Sequence, residues 1–167
     1  MKSYVPFSVV ISVYKNDKPE FLDQCFESIK SNSLQPVKIV LVKDGSISTE
    51  LDSIINKWSQ LLPIQVVGYE ENHGLAYALN YGLQFVETEL VARMDSDDIC
   101  YSDRFEKQIN YFNLNTDCEI CGTGLKEFYA ILANDCHEKI RLYPEIVDKT
   151  SKCLYKGTPL GHPTLMM

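Results

Sequence analysis

Three carboxylates lie within four residues in the middle of the sequence. Asp95, Asp97 and Asp98 follow the apolar residues 90–94, which predict a short buried strand with the carboxylates at its carboxyl end. Without a partner, the three negative charges repel one another and resist leaving water. Hard oxygen ligands on a short loop suit Mg²⁺ or Mn²⁺, which keep open positions for phosphate oxygens. An isolated Asp-x-Asp is more often a polar turn, so the metal hypothesis depends on the neighbouring loops.

Four apolar segments, each followed by a helical pattern, organise most of the chain. They are rich in β-branched residues and predict buried strands at residues 7–14, 37–42, 64–69 and 90–94. Strands that alternate with amphipathic helices predict an α/β fold, a three-layer α/β/α sandwich with a mostly parallel sheet. We expect residues 1–167 to form a single domain.

Right-handed crossovers place the loops after all four strands at the carboxyl edge of the sheet, where open α/β folds bind ligands. These loops are residues 14–17, 43–46, 72–74 and 95–98. All four are polar, and the last carries the three carboxylates. Their convergence predicts a nucleotide-phosphate site that includes a divalent metal.

Local signals predict the remaining elements. Asp17 and Glu20 have the spacing of a capping box before the first helix, and Ser102 is the expected cap of the fourth. The small residues of the third helix predict close packing on the sheet. Further along, the pattern predicts strands at residues 118–122, 125–132 and 137–142. It also predicts a turn at residues 133–135 and a helix at residues 145–155.

Composition excludes several classes of function. The net charge of −7 argues against sequence-independent nucleic-acid binding and against electrostatic docking on anionic lipid. The first residues show no signal peptide and no segment long enough to span a membrane, so we predict a cytoplasmic location with reduced cysteines. Membrane association of a longer protein stays open. An anionic substrate would need a metal ion or local backbone donors.

Six sequence motifs together resemble the family 2 glycosyltransferases, which have the GT-A fold. In chain order they are SVVISVYKND, VKDGS, ENHGLAYALNYGL, ARMDSDD, DRFEKQ and GHPTLMM. The similarity is greatest to bacterial members that build surface polysaccharides. It implies an enzyme that moves a sugar, with inversion, from a nucleotide diphosphate donor to a saccharide or lipid-linked acceptor. Uridine diphosphate is the nucleotide that the resemblance favours, with Mn²⁺ or Mg²⁺ as cofactor.

The resemblance also implies roles for individual residues. Asp95 is implied to hold the ribose or the metal, Asp97 to bind the metal that bridges the diphosphate, and Asp98 only to orient its neighbours. His162 matches a histidine near the acceptor or the diphosphate. The remaining implied contacts are to the nucleoside. Val13 and Tyr14 are implied to form part of the nucleobase pocket, and Asp44 to form a hydrogen bond with the base. Asn72 and Gly74 are implied to lie in the loop that closes over the nucleoside.

Two features depart from the family pattern. Ser12 and Lys43 stand where family members often carry Pro and Asp. The general base that the family carries after the HPT segment has no match, so we expect it beyond Met167 in a longer protein. We also expect the apolar segment that begins at Thr164 to be poorly covered.

Two other classes of function are open alternatives. One is a non-catalytic nucleotide-sugar-binding module. The other is a different nucleotide enzyme, such as a nucleotidyltransferase or a dehydrogenase; the absence of a Gly-x-Gly-x-x-Gly after the first strand disfavours it.

Overall fold

A computed structural model describes residues 5–130, 136–143 and 159–167 of the chain. Its first part alternates strand and helix four times, as the sequence predicts, and a hairpin follows. The strands are β1 (Phe7–Val13), β2 (Lys38–Asp44), β3 (Ile64–Tyr69), β4 (Leu90–Arg93), β5 (Leu125–Ala130) and β6 (Cys136–Arg141). The helices are α1 (Pro19–Lys30), α2 (Thr49–Ser59), α3 (Leu75–Leu83) and α4 (Arg104–Leu114), with a 3₁₀ turn at His162–Thr164.

The first four strands form one sheet in the order β3-β2-β1-β4, and every neighbouring pair is parallel. In register, Val10 of β1 lies between Val40 of β2 and Arg93 of β4. All four strands therefore end at the same edge, as the alternation predicts. β1 and β2 are the central strands and are buried almost throughout, which explains their continuous apolar sequences.

Helices cover both faces of the sheet, which confirms the predicted α/β class. On one face, α1, α2 and α4 bury a large core around Phe26, Trp58 and Phe105. On the other face, α3 packs on β1 and β2 through Ala78 and Gly82. A Cβ at Gly82 would lie 2.8 Å from Cγ2 of Val42, so only glycine lets α3 approach this closely. Ala76, grouped with these small residues in the sequence, is exposed.

Two predicted helix caps are wrong. The residue that caps α1 is Lys18, which makes no side-chain cap, while Asp17 lies one residue too early and bonds elsewhere. Helix α4 begins after Asp103, and Ser102 uses its carbonyl oxygen to accept a hydrogen bond from the backbone N–H of Ser33. The carboxylate of Asp17 thus bonds to a distant loop instead of the helix, whereas α4 begins one residue later than a cap at Ser102 requires.

The last residues pack against β4 in the antiparallel direction. Met166 forms isolated bridges with Ala92 and Cys121, and the backbone N–H of Val91 donates to the carbonyl of Met167. The predicted strand at 118–122 is therefore wrong, because only Cys121 pairs. The expectation of poor cover from Thr164 onward is also wrong for residues 164–166, which are buried; Met167 is 40% exposed.

The predicted hairpin is present as the antiparallel pair of β5 and β6. The predicted turn at 133–135 and helix at 145–155 lie outside the described residues. Of the helices that the structure describes, none combines the length and the apolar character needed to cross a bilayer.

Candidate functional site

The four polar loops meet at the carboxyl edge of the sheet and are joined in two pairs. Asp44, the last residue of β2, bonds to the loop before α3. Asp17, after β1, accepts a 2.8 Å hydrogen bond from the hydroxyl of Ser96 in the acidic loop (residues 95–98). Asp17 also accepts the backbone N–H of Tyr14 at 3.2 Å. The bonds that join one loop to another span 28 to 79 residues of sequence, so they fix the shape of the edge through tertiary structure.

Asp44 is buried and serves as the anchor of the loop at residues 72–74. Its Oδ2 accepts hydrogen bonds from the side-chain amide of Asn72 at 2.8 Å and the backbone N–H of Gly74 at 3.0 Å. Its Oδ1 accepts the backbone N–H of His73 at 2.8 Å. Three donors compensate the buried charge. The resemblance implies that Asp44, Asn72 and Gly74 surround one nucleoside, and the structure brings these three residues together.

Glycine is required on both sides of this contact. Gly45 and Gly74 each have φ of +85°, which side chains rarely adopt. A Cβ at Gly45 would also lie 2.9 Å from the backbone nitrogen of Asn72. The two glycines therefore allow the loops to touch while leaving their outer surface open.

The end of β1 contributes one solvent-facing side chain. Val13 is 1% exposed and belongs to the core, so it supports the edge from below. Tyr14 is 40% exposed and presents its ring at the edge. Of these two predicted pocket residues, Tyr14 is the one whose side chain a ligand can reach.

The three carboxylates of the acidic loop have different surroundings. Asp95 is half-buried, and its Oδ1 accepts a 2.7 Å hydrogen bond from Nη2 of Arg93. Burial raises the pKa of Asp95, an effect that Arg93 opposes. Burial, with the charges of Asp95 and Asp97, raises the pKa of Asp98 to about 6. Asp97 is exposed and has no hydrogen-bond or ion-pair partner in the part of the chain that the structure describes.

Helix α1 supports the backbone of this loop from beneath. The thiol of Cys25 donates to the carbonyl of Asp95 at 3.5 Å, and the hydroxyl of Ser28 accepts the backbone N–H of Cys100 at 3.1 Å. The amide of Asn32 donates to the carbonyl of Tyr101 at 2.8 Å. Cys25 and Ser28, one turn apart on α1, and Asn32 just after it thus hold the backbone of residues 95–101, although nothing in the sequence indicated this role.

The donor set of the acidic loop suits a small divalent cation. No group of three or more His, Cys, Asp or Glu within the described ranges has the arrangement of a complete metal site. Mg²⁺ and Mn²⁺ do not need one, because one or two carboxylates together with waters and substrate phosphates are enough. The exposed carboxylate of Asp97 and the second oxygen of Asp95 can supply the protein ligands of such an ion.

His162 reaches the same edge from the other end of the sequence. It lies in the 3₁₀ turn, is exposed, and is near enough to Asp95 to oppose the rise in the pKa of that carboxyl group. The turn is fixed by Thr164, whose carbonyl accepts the amide of Gln108 at 2.8 Å and whose hydroxyl accepts the backbone N–H of Thr123 at 2.9 Å. The 3₁₀ turn therefore brings His162 to the side of the acidic loop.

A cavity of about 610 Å³ opens beside the acidic loop, and sequence reasoning did not predict it. It lies between the start of α4, the β5–β6 hairpin and the 3₁₀ turn. Its wall is mixed, with an acidic group at Asp98, exposed aromatic rings at Tyr101 and Phe128, and a cation at Lys107. The sequence signal that could have indicated this cavity is the apolar segment at residues 99–101, which lies among polar residues.

Comparison with known sequences gives a consistent family. The family model described as "Glycosyl transferase family 2" matches residues 8–157. The chain is 45% identical, over 81% of its length, to the amylovoran biosynthesis glycosyltransferase AmsE of Erwinia amylovora. It is 38% identical, over 73% of its length, to the Escherichia coli UDP-Gal:alpha-D-GlcNAc-diphosphoundecaprenol beta-1,3-galactosyltransferase. It spans 49% and 44% of these two relatives, about half of their length.

Solved structures share the fold at low identity. Staphylococcus aureus TarS, residues 1–349 in complex with UDP, superposes with a TM-score of 0.70 at 17% identity. That similarity covers 96% of this chain and 46% of TarS. The mannosyltransferase PcManGT of Pyrobaculum calidifontis, in complex with GDP-Man and Mn²⁺, has a TM-score of 0.65 at 17% identity and covers 75% of this chain and 37% of that one.

Proposed function

The chain belongs to glycosyltransferase family 2, and from this we propose that it carries the donor-binding half of an inverting, metal-dependent sugar transferase of bacterial surface-polysaccharide synthesis. The observation that carries the proposal is the exposed Asp97, which lies between two half-buried carboxylates in a loop that Ser96 joins to the loop after β1. A divalent ion held there would offset the negative charges of a nucleotide diphosphate.

We assign the nucleoside to the loops after β1, β2 and β3. The Tyr14 ring offers a flat apolar surface on which a base can stack. The loop held by Asp44 lies at the same edge of the sheet, and Oδ1 of Asp44, which accepts a single hydrogen bond, has a further lone pair with which to accept one from a base. Uridine diphosphate is the proposed nucleotide, because a relative's name specifies UDP-Gal and a structural neighbour is bound to UDP.

We assign the diphosphate to the acidic loop. Asp97, with the free oxygen of Asp95, would hold Mn²⁺ or Mg²⁺, and this cation would stabilise the negative charge of the departing diphosphate as a Lewis acid. His162 lies beside the same loop and can donate a hydrogen bond to a phosphate oxygen. Asp17 fixes the loop to the first strand through Ser96.

The acceptor belongs on the far side of the acidic loop, in the cavity beside Asp98. Its aromatic rings can stack on sugar faces, and Lys107 can attract an anionic group of a lipid-linked saccharide. An acceptor hydroxyl is a poor nucleophile at neutral pH, so a carboxylate must take its proton as it attacks. Attack opposite the departing diphosphate inverts the anomeric centre.

Isothermal calorimetry with uridine diphosphate, with and without Mn²⁺, tests this function. We expect binding that depends on the divalent ion. A ligand at about 100 times its Kd stabilises the fold by about 2.7 kcal/mol, which corresponds to about 5–10 °C in Tm for a domain of this size. A folded chain that binds no nucleotide diphosphate with either Mn²⁺ or Mg²⁺ would refute the proposal.

A further inference from the structure

Arg93 is directed at a single acceptor in the acidic loop. It is the last residue of β4, and Asp95 follows two residues later, so the alternation of an extended chain places both side chains on the same side. The guanidinium is more than nine-tenths buried and donates from Nη2 to Oδ1 of Asp95 at 2.7 Å. Its Nε and Nη1 are buried and have no hydrogen-bond partner in the described residues.

Arg104 shows what a buried arginine does here when its role is structural. It is equally buried, and it donates to the carbonyl of Arg93 at 2.8 Å and to the side chain of Gln108 at 3.0 Å. Arg104 thus ties α4 to β4. Within the described ranges, the side chain of Arg93 joins no two helices or strands. Its hydrogen bond is to one oxygen of the Asp95 carboxylate.

The bond to Arg93 changes what Asp95 can offer to a cation. A free carboxylate can bind a metal through one oxygen or through both. Oδ1 already accepts the hydrogen bond of the guanidinium, so Oδ2 is the oxygen of Asp95 without a partner in the described residues, and a cation that bound through both oxygens would have to share Oδ1 with Arg93. Mg²⁺ and Mn²⁺ are bound in an octahedron by one oxygen from each carboxylate. Ca²⁺ takes six to eight oxygens and readily binds both oxygens of one carboxylate.

We propose that Arg93 is a positioning residue that sets the metal preference of the site, by limiting Asp95 to one oxygen and thereby disfavouring Ca²⁺. This inference rests on the proposed binding of a nucleotide diphosphate with a divalent ion. The positive charge of Arg93 weakens the binding of every divalent cation alike, so charge alone does not separate Ca²⁺ from Mn²⁺. The discrimination comes from the geometry of the carboxylate.

The test measures uridine diphosphate affinity by calorimetry in Mn²⁺, Mg²⁺ and Ca²⁺ for the unaltered chain and three variants. Arg93→Met removes the guanidinium and keeps much of its length, and Arg93→Lys keeps a cation without the planar fork. Arg141→Met is the matched control, since Arg141 forms an ion pair with Glu127 in the hairpin, outside the acidic loop. Tm values recorded without metal report on folding.

We expect the unaltered chain to bind at least about tenfold more tightly with Mn²⁺ than with Ca²⁺, a difference of about 1.4 kcal/mol. Arg93→Met should remove most of this ratio, Arg93→Lys should fall between the two, and Arg141→Met should keep it. A structural role alone would lower the Tm and leave the ratio unchanged.

The outcomes separate the two proposals. Absence of nucleotide binding with any metal in the unaltered chain overturns the proposed function. Binding that is equally tight with Ca²⁺ and Mn²⁺ in the unaltered chain overturns the role of Arg93 without any variant, and so does an unchanged ratio in Arg93→Met. If Arg93→Met does not fold, a parental ratio in Arg93→Lys overturns it.

Discussion

At the scale of single residues, the three carboxylates of the acidic loop have been given different environments. Arg93 binds one oxygen of Asp95, burial raises the pKa of Asp98, and Asp97 is exposed. Because Asp97 has no partner to lose in the described structure, its removal should affect a bound cation more than the fold.

The first prediction concerns Asp97. Asp97→Ala should abolish the part of uridine diphosphate binding that requires Mn²⁺, with little change in Tm in the absence of ligand, because surface substitutions usually change stability by less than about 0.5 kcal/mol. Asp117→Ala is the matched control, since Asp117 is also an exposed aspartate but lies in the loop after α4. Metal-dependent binding in calorimetry that is equal for both variants would show that Asp97 is not a metal ligand.

The second prediction is a pH dependence at Asp98. Its pKa is raised from 3.8 to about 6, so the folded state binds more protons than the unfolded state between these values. Stability should therefore fall as pH rises from about 4 to about 6. The raised pKa of Asp95 and of Asp17 contributes in the same direction, and the nearby Arg104 opposes it.

Asp98→Asn isolates this contribution. The variant should be more stable than the parent at pH 7.5 by on the order of 1 kcal/mol, since each pKa unit is worth about 1.4 kcal/mol and partial exposure screens much of it. At pH 4 the two proteins should be equally stable. Urea unfolding at both pH values provides the measurement, and a variant that is less stable at pH 7.5 would contradict the assignment.

At the scale of elements, the end of β2 and the start of α3 behave as one unit. Asp44 joins them through three hydrogen bonds, while Gly82 lets the same helix lie directly on β1 and β2. The position of the 72–74 loop is thus determined at both ends of α3, by a carboxylate at one end and by close packing at the other.

The third prediction tests that unit. Asp44→Asn replaces one acceptor oxygen with a donor that faces existing donors, so it should destabilise the fold by about 1–3 kcal/mol and weaken uridine diphosphate binding. Asp52→Asn is the control. Asp52 lies on α2 and forms a surface ion pair with Lys43, so its substitution should lower the free energy of unfolding by less than about 1 kcal/mol. Equal stability losses in urea unfolding for the two variants would show that the 72–74 loop does not depend on Asp44.

At the scale of the whole molecule, the acidic loop contacts the loop after β1 on one side, and the cavity opens beside it. The last residues pack antiparallel along β4 and are largely buried. The chain spans about half the length of its curated relatives.

The fourth prediction follows from the proposal that this chain carries the donor-binding half of the enzyme. We expect this chain to bind uridine diphosphate with Mn²⁺ about as well as a chain extended downstream, but to transfer sugar more slowly by about 10²–10⁴, the usual effect of a missing general base. Binding by calorimetry and transfer from a labelled nucleotide sugar should be compared for both chains. Equal transfer rates would place the base within these 167 residues.

Much of the fold follows from the sequence because the periodicity of apolar residues is a local property. The runs that became β1 to β4 and the helical patterns between them predicted a parallel sheet, and parallel strands with right-handed crossovers put the four loops at one edge. The acidic loop could be located in the same way. The cap at Asp17 was predicted wrongly because its carboxylate bonds to the distant Ser96, and the cap at Ser102 because α4 begins one residue later.

The contacts within the site were decided by tertiary structure alone. Asp17 meets Ser96 across 79 residues, and Asp44 meets Gly74 across 30. Loops have no periodic pattern, so their sequence does not specify which distant donor a carboxylate will find. The sequence by itself determined which chemical groups reach the edge of the sheet, because strand length and the alternation of strands and helices decide which residues lie there. The packing of the loops determined which of those groups, Asp97 above all, remain available to a ligand.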